Sequence, residues 1–204
     1  MKRQLQKGAA SFFSQGVREM PTAVFLDAGY LDKVMHFGHA NARVDYGKLI
    51  HEIALPDSLF RAYYYHCMPY QSNPPTSDES SRYASKHRFV TALGNIPRFE
   101  IRLGRLAKAG FDKDNNPIFI QKRVDCMVGV DMALLAGKRT IDNVALFTGD
   151  SDLIPAVEAV KREGIIVTLW HGSNSQRCRP SDDLVRTCDE RRELDAALVK
   201  KILR

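Results

Sequence analysis

Two segments in the second half of the chain, VALFTG and IIVTLW, are apolar from end to end, and a helix-like stretch over 153–163, closed by Gly164, separates them. A strand that is apolar on both faces has to be covered on both faces. Strands of this kind alternating with helices therefore predict a parallel sheet held between helical layers. The same pattern appears earlier in the chain, where TAVFLD ends in an acid and is followed by Ala28-Gly29 and the helix-like YLDKVMHF. The fold class is α/β, with a central, mainly parallel sheet flanked by helices in a three-layer sandwich.

The remaining segments fit around that frame. A helix is expected over 44–55, stopped by Pro56, and an aromatic-rich buried strand over 59–68. The loop QSNPPTSDESS leads to a basic helix, SRYASKHRFVTALGN, and then to the strand RFEIRLGRLA. Residues 108–121 read as a hairpin, because Asp-Asn-Asn between apolar flanks suits left-handed turn geometry. A further helix is expected over 124–136, and RRELDAALVKKIL is expected to close the chain as one amphipathic helix.

Charge and composition narrow the partners. There are 30 Lys and Arg against 24 Asp and Glu, a net charge of +6, which favours a polyanion. Residues 1–20 carry Lys2, Arg3, Lys7 and Arg18 against Glu19 alone and read as a basic arm, with one domain over 21–204. The four cysteines, Cys67, Cys126, Cys178 and Cys188, have no zinc-site spacing and read as reduced thiols. With no bilayer-length apolar run and no signal-like start, the expectation is a cytoplasmic protein that meets no membrane. A homodimer is compatible with the chain.

Three acids stand where a parallel sheet places its ligands, at strand ends or at the helix starts facing them. Asp27 ends the first strand, Asp150 follows VALFTG, and Asp125 opens the helix after Lys122-Arg123-Val124; Asp152 lies two residues beyond Asp150. Clustered carboxylates repel unless a cation neutralises them, and hard oxygen ligands select Mg²⁺ or Mn²⁺. Such a site can activate water against a phosphodiester. No GxGxxG or GxxxxGK[ST] loop is present to suggest a nucleotide cofactor.

FLDAGYL, KRVDCMVGVDMALLA and VALFTGDSDLIPAVEAVKREGIIVTLW resemble the successive motifs of the NYN domain family, a branch of the PIN-like nucleases, in its bacterial DUF88 or LabA-like subgroup. The resemblance runs from about Thr22 to Trp170. It implies a PIN-like, Rossmannoid fold and a metal-dependent nuclease acting on nucleic acid, RNA before DNA. It also implies a site made by Asp27, Asp125 and Asp150, with Asp152 in support. The sequence departs from the common pattern twice: the first motif often reads Asp-Gly-x-Asn where this chain has Asp27-Ala28-Gly29-Tyr30, and the usual Gly of the Lys-Gly-Val-Asp motif is Arg123.

Each residue also has a plainer reading. Asp27 and Asp150 could be turn or cap carboxylates, Asp125 favourable charge in a helix's first turn, and Asp152 an N-cap ahead of Pro155. Asp131 lies about 240° around the helix from Asp125 and should point elsewhere. Lys122, Arg123, Lys138 and Arg139 suit a phosphate track as a group, which Arg98, Arg102 and Arg105 could extend. Tyr63-Tyr64-Tyr65 could stack bases but fits core packing better, Met127 and Met132 belong to the core, and a lone His171 reads as structural. The rivals to a nuclease are a nucleic-acid-binding or regulatory module with a degenerate site, and a phosphatase, whose first-strand DxD motif this chain lacks.

Overall fold

In the computed structural model of the chain, residues 21–173 and 176–204 are described; the basic arm expected over 1–20 lies outside them. The centre of the fold is β1 (Pro21–Asp27), paired in parallel with β2 (Ser58–Cys67) on one side and with β5 (Asn143–Phe147) on the other. Outward from β2 lie β3 (Phe99–Phe111) and β4 (Pro117–Lys122); outward from β5 lie β6 (Ile166–His171) and β7 (Glu190–Glu193). The order is β4-β3-β2-β1-β5-β6-β7, and only β3 and β4 run antiparallel.

The central strands β1 and β5 carry apolar runs because both of their faces are buried. Val24 and Leu26 of β1 enter one core, while Ala23 and Phe25 enter the other. The tyrosine run divides in the same way, Tyr64 to the first core and Tyr63 and Tyr65 to the second, where they stack against Phe25. On the first face lie α1 (Ala28–Gly38), α2 (Tyr46–Ala54), α3 (Ser77–Leu93) and α7 (Ala196–Lys201), contributing Leu31, Ile50, Leu93 and Val199 among others. On the second lie α4 (Val124–Gly137), α5 (Ile154–Arg162) and α6 (Asp182–Thr187), contributing Met132, Val157 and Leu184. This is the three-layer sandwich that the buried strands require. Met132 is fully buried and Met127 packs against the same core.

The expected hairpin forms: β3 and β4 are joined by a turn in which Asn115 has φ 61° and the Asp112 carboxylate accepts the backbone N–H groups of Asp114 and Asn116. Two elements differ from expectation. α3 begins at Ser77, inside the segment read as loop, because Thr76 and Glu79 close a reciprocal capping box. The C-terminal segment is not one helix: residues 190–193 instead pair with β6 as the edge strand β7, and the helix begins only at Ala196, capped by Asp195. Among the described residues, no helix is long and apolar enough to cross a membrane.

Candidate active site

From β1 the chain builds outward through β2 and β3 on one side, and β5, β6 and β7 fill the other. That reversal opens a crevice between the carboxyl ends of β1 and β5, the position at which open parallel sheets take their ligands. Asp27 is the last residue of β1, and Thr148, Gly149 and Asp150 follow the end of β5.

A buried hydroxyl ties the two sides together. The Thr148 hydroxyl donates to Asp27 Oδ2 at 3.3 Å and accepts the Asp150 backbone N–H at 3.3 Å. Asp27 Oδ1 accepts the Tyr30 N–H at 3.1 Å as the N-cap of α1, and Asp150 Oδ1 accepts the Asp152 N–H at 3.0 Å as the cap of a short 3-10 turn over Ser151–Leu153. The capping readings of Asp27 and Asp150 are thus correct as far as they go: each spends one oxygen on a cap. Asp152 caps nothing itself, since the cap of α5 is Leu153 without a side-chain bond. Gly149 is required by a close approach, because a Cβ there would lie 2.6 Å from Cε2 of Tyr30. That ring cannot move aside easily, as its hydroxyl donates to the Cys178 carbonyl at 2.6 Å and accepts the Gly172 N–H at 3.2 Å.

The third acid arrives from α4. Asp125 lies in the first turn of that helix, whose N-cap, Arg123, has φ 76° in the left-handed region. Burial pushes the Asp27 carboxyl above the ordinary carboxylate range, against the pull of its hydrogen bonds from Tyr30 and Thr148, and the charge of Asp125 raises it further. Asp125 is exposed as a residue, yet its carboxyl is raised too, first by partial desolvation and then by the charges of Asp150 and Asp152. The four acids therefore share one electrostatic neighbourhood.

Lys122 and Arg123 are exposed immediately before Asp125. Lys138 and Arg139 do not join them. They follow the far end of α4, about 20 Å from Asp125 at 1.5 Å per residue. There the chain returns to the amino ends of the strands, where the Asp142 N–H bonds the Pro21 carbonyl. Asp131 does point elsewhere, accepting the Tyr65 hydroxyl at 2.8 Å and Arg102 Nε at 3.1 Å. Arg102 is also paired with Glu100, and Arg98 donates to the Leu59 carbonyl, so both are committed to structure; Arg105 is exposed. His171 is buried with Nδ1 2.6 Å from the Gly172 carbonyl oxygen.

Two residues escaped the sequence reading. Thr148 could have been noticed as the polar residue closing an apolar strand. Gln121 could not, since only the β3–β4 hairpin brings it near: its side-chain nitrogen lies 3.0 Å from the point where a Cβ on Gly29 would stand, and Asp27 Oδ1 lies 3.4 Å from that point. The first motif offers no carboxamide, and Gln121 brings one from another element.

The donors suit a hard divalent cation, since every one is a carboxylate oxygen. Among the described residues no three His, Cys, Asp or Glu stand together as a ready cage. An open arrangement of this kind fits Mg²⁺ chemistry, in which one or two carboxylates, water and substrate phosphate complete the coordination.

A mainly parallel sandwich with acids gathered at its topological switch point is the architecture of the PIN-like nucleases. The family model described as NYN domain matches residues 21–195, and the chain belongs to that family. It is 30% identical over 113 residues to the uncharacterized protein y4oD of Sinorhizobium fredii, a match covering 55% of this chain and 48% of that protein. The chain thus spans about half the length of this curated relative. Its fold is shared with a crystal structure of a protein of unknown function, VPA0982, from Vibrio parahaemolyticus, at TM-score 0.63 and 19% identity, covering 93% of this chain and 99% of that one.

Proposed function

We propose that the chain hydrolyses phosphodiester bonds as a Mg²⁺- or Mn²⁺-dependent nuclease, with RNA as the favoured substrate. The observation that carries this is the gathering of carboxylates at the switch point: Asp27 and Asp150 are tied through Thr148, and the Asp27 and Asp125 carboxyls are raised first by desolvation and then by neighbouring carboxylates. Like charges gathered in this way cost stability unless a cation joins them. Asp27, Asp125 and Asp150 would hold the cation, with Asp152 at the rim. When bound, it would supply neutralising charge and bring the pKa of water down for attack on phosphorus. Thr148 sets the spacing of Asp27 from the Asp150 backbone. Gln121 can hold a water or phosphate oxygen, and Lys122 and Arg123 can meet the substrate backbone.

The test is cleavage of single-stranded and structured RNA and DNA with Mg²⁺, with Mn²⁺ and with chelator, comparing the protein with Asp150→Asn. The variant should lose about a hundredfold or more in rate, since position and acidity depend on the carboxylates, while its melting temperature and RNA binding persist. Near-normal cleavage by Asp150→Asn would remove the site as assigned. A second reading, a nucleic-acid-binding module that does not cut, is favoured by one observation, the lack of a ready three-ligand cage among the described residues. It predicts RNA binding with no metal-dependent product.

A further inference from the structure

We propose that a cleft between the start of α3 and one face of the β3–β4 hairpin holds an unstacked base of a single-stranded nucleic acid, beside the crevice. The proposal rests on the nuclease reading above. The cleft has a volume of about 350 Å³ and is walled by Tyr70 and Phe119, whose ring centroids stand 5.0 Å apart at 37°. Leu106 also lines it, and Arg82 and Lys108 bring two cations to it. Its one carboxylate, Glu79, is already engaged by the Ser72 hydroxyl and by the backbone N–H groups of Ser72 and Thr76.

Three features select a base with its phosphate. Phe119 is 37% exposed on an edge strand whose six residues are all exposed, so the Tyr70–Phe119 pair leaves aromatic surface open to solvent that a base could cover. Stacking on such a ring is tolerant of sequence because every base has a π-face. The adjacent cations suit the sugar-phosphate backbone, and the hairpin face that lines the cleft is the one that carries Gln121 toward the crevice. Phe119 pairs with Lys108 and Gln121 with Leu106, so all four side chains lie on one face of the hairpin. Phe119 and Gln121 are then about 7 Å apart along β4, on the order of one step of an extended strand, and Gln121 already reaches the neighbourhood of Asp27. A duplex keeps its base faces stacked inside and cannot use the cleft.

Fluorescence anisotropy in chelator, with a labelled oligouridine and an RNA duplex of the same length, tests this. Phe119→Ala should weaken single-strand binding about tenfold, leave duplex binding unchanged and preserve the melting temperature, and Phe119→Tyr should bind like the parent. If Phe119→Ala does not fold, Phe119→Leu, which keeps apolar bulk without the aromatic face, should still bind the single strand more weakly. Unchanged single-strand binding, or an equal loss on both ligands, overturns the proposal. Because nothing is cut in chelator, this outcome is independent of the Asp150→Asn cleavage result.

Discussion

At the scale of single residues, the strained position beside the candidate site is Arg123. Its φ of 76° is a conformation in which a Cβ crowds the backbone, at a cost of roughly 1–2 kcal/mol that glycine avoids. The motif position usually held by glycine is therefore a backbone requirement, and this chain keeps an arginine there beside Asp125. Strain persists where something else is gained, here a cation at the mouth of an acidic crevice. Arg123→Gly should raise stability by about 1 kcal/mol and weaken RNA binding; thermal melting and a binding titration on the same sample check both. Asp27 gives a pH prediction whose sign follows from burial. A carboxyl with a folded-state pKa above its unfolded one binds more protons folded than unfolded. Its favourable contribution is therefore present below the unfolded value and lost as pH rises through the folded one. In chelator, Asp27→Asn should melt higher than the parent at neutral pH, and the gap should close as the pH falls below the ordinary carboxylate range. A gap independent of pH would mean that the charge of Asp27 carries no penalty.

At the scale of elements, the geometry of the candidate site depends on how closely β3, β4 and α4 meet. A Cβ on Gly104 would lie 2.6 Å from the Lys122 carbonyl oxygen and 2.8 Å from Cγ2 of Val124, and neither backbone nor buried valine yields cheaply. Gly104→Ala should cost about 1–3 kcal/mol, and it should lower the cleavage rate by displacing Gln121 and Asp125 together; denaturant melts and rate measurements would show whether the two losses coincide. The inner strands and their helices were legible in the sequence because double-sided burial writes a continuous apolar run. So was the hairpin, because its turn needs Asn and Asp. The segment around Thr76 was misread because polar residues after Pro74-Pro75 look like loop until Thr76 and Glu79 are recognised as partners. Residues 190–193 were misread for a different reason: Glu-Arg-Arg-Glu has no strand character of its own, and the open edge of β6 imposes it. Of the candidate site, Asp27 and Asp150 were visible at strand ends and Asp125 at a helix start. The displacement of Lys138 and Arg139 depends on the direction of α4, and the approach of Gln121 depends on the fold of the hairpin.

At the scale of the whole molecule, the crevice is assembled from parts of unequal burial. Asp27 ends β1 and Thr148 directly follows β5, central strands whose apolar residues are almost wholly buried, whereas Gln121 sits on β4, exposed along its entire length at the edge of the sheet. Local opening costs least where few apolar contacts must be broken. Native-state hydrogen exchange should therefore find the amides of β4 and the distal part of β3 exchanging through small fluctuations, while those of β1 and β5 wait for global unfolding. Uniform protection across the sheet would contradict this. Reversible peeling of the hairpin would take Gln121 and the Phe119 cleft away from a crevice whose buried half stays folded; under the proposed nuclease activity, a cut strand could then leave without the molecule giving up its core.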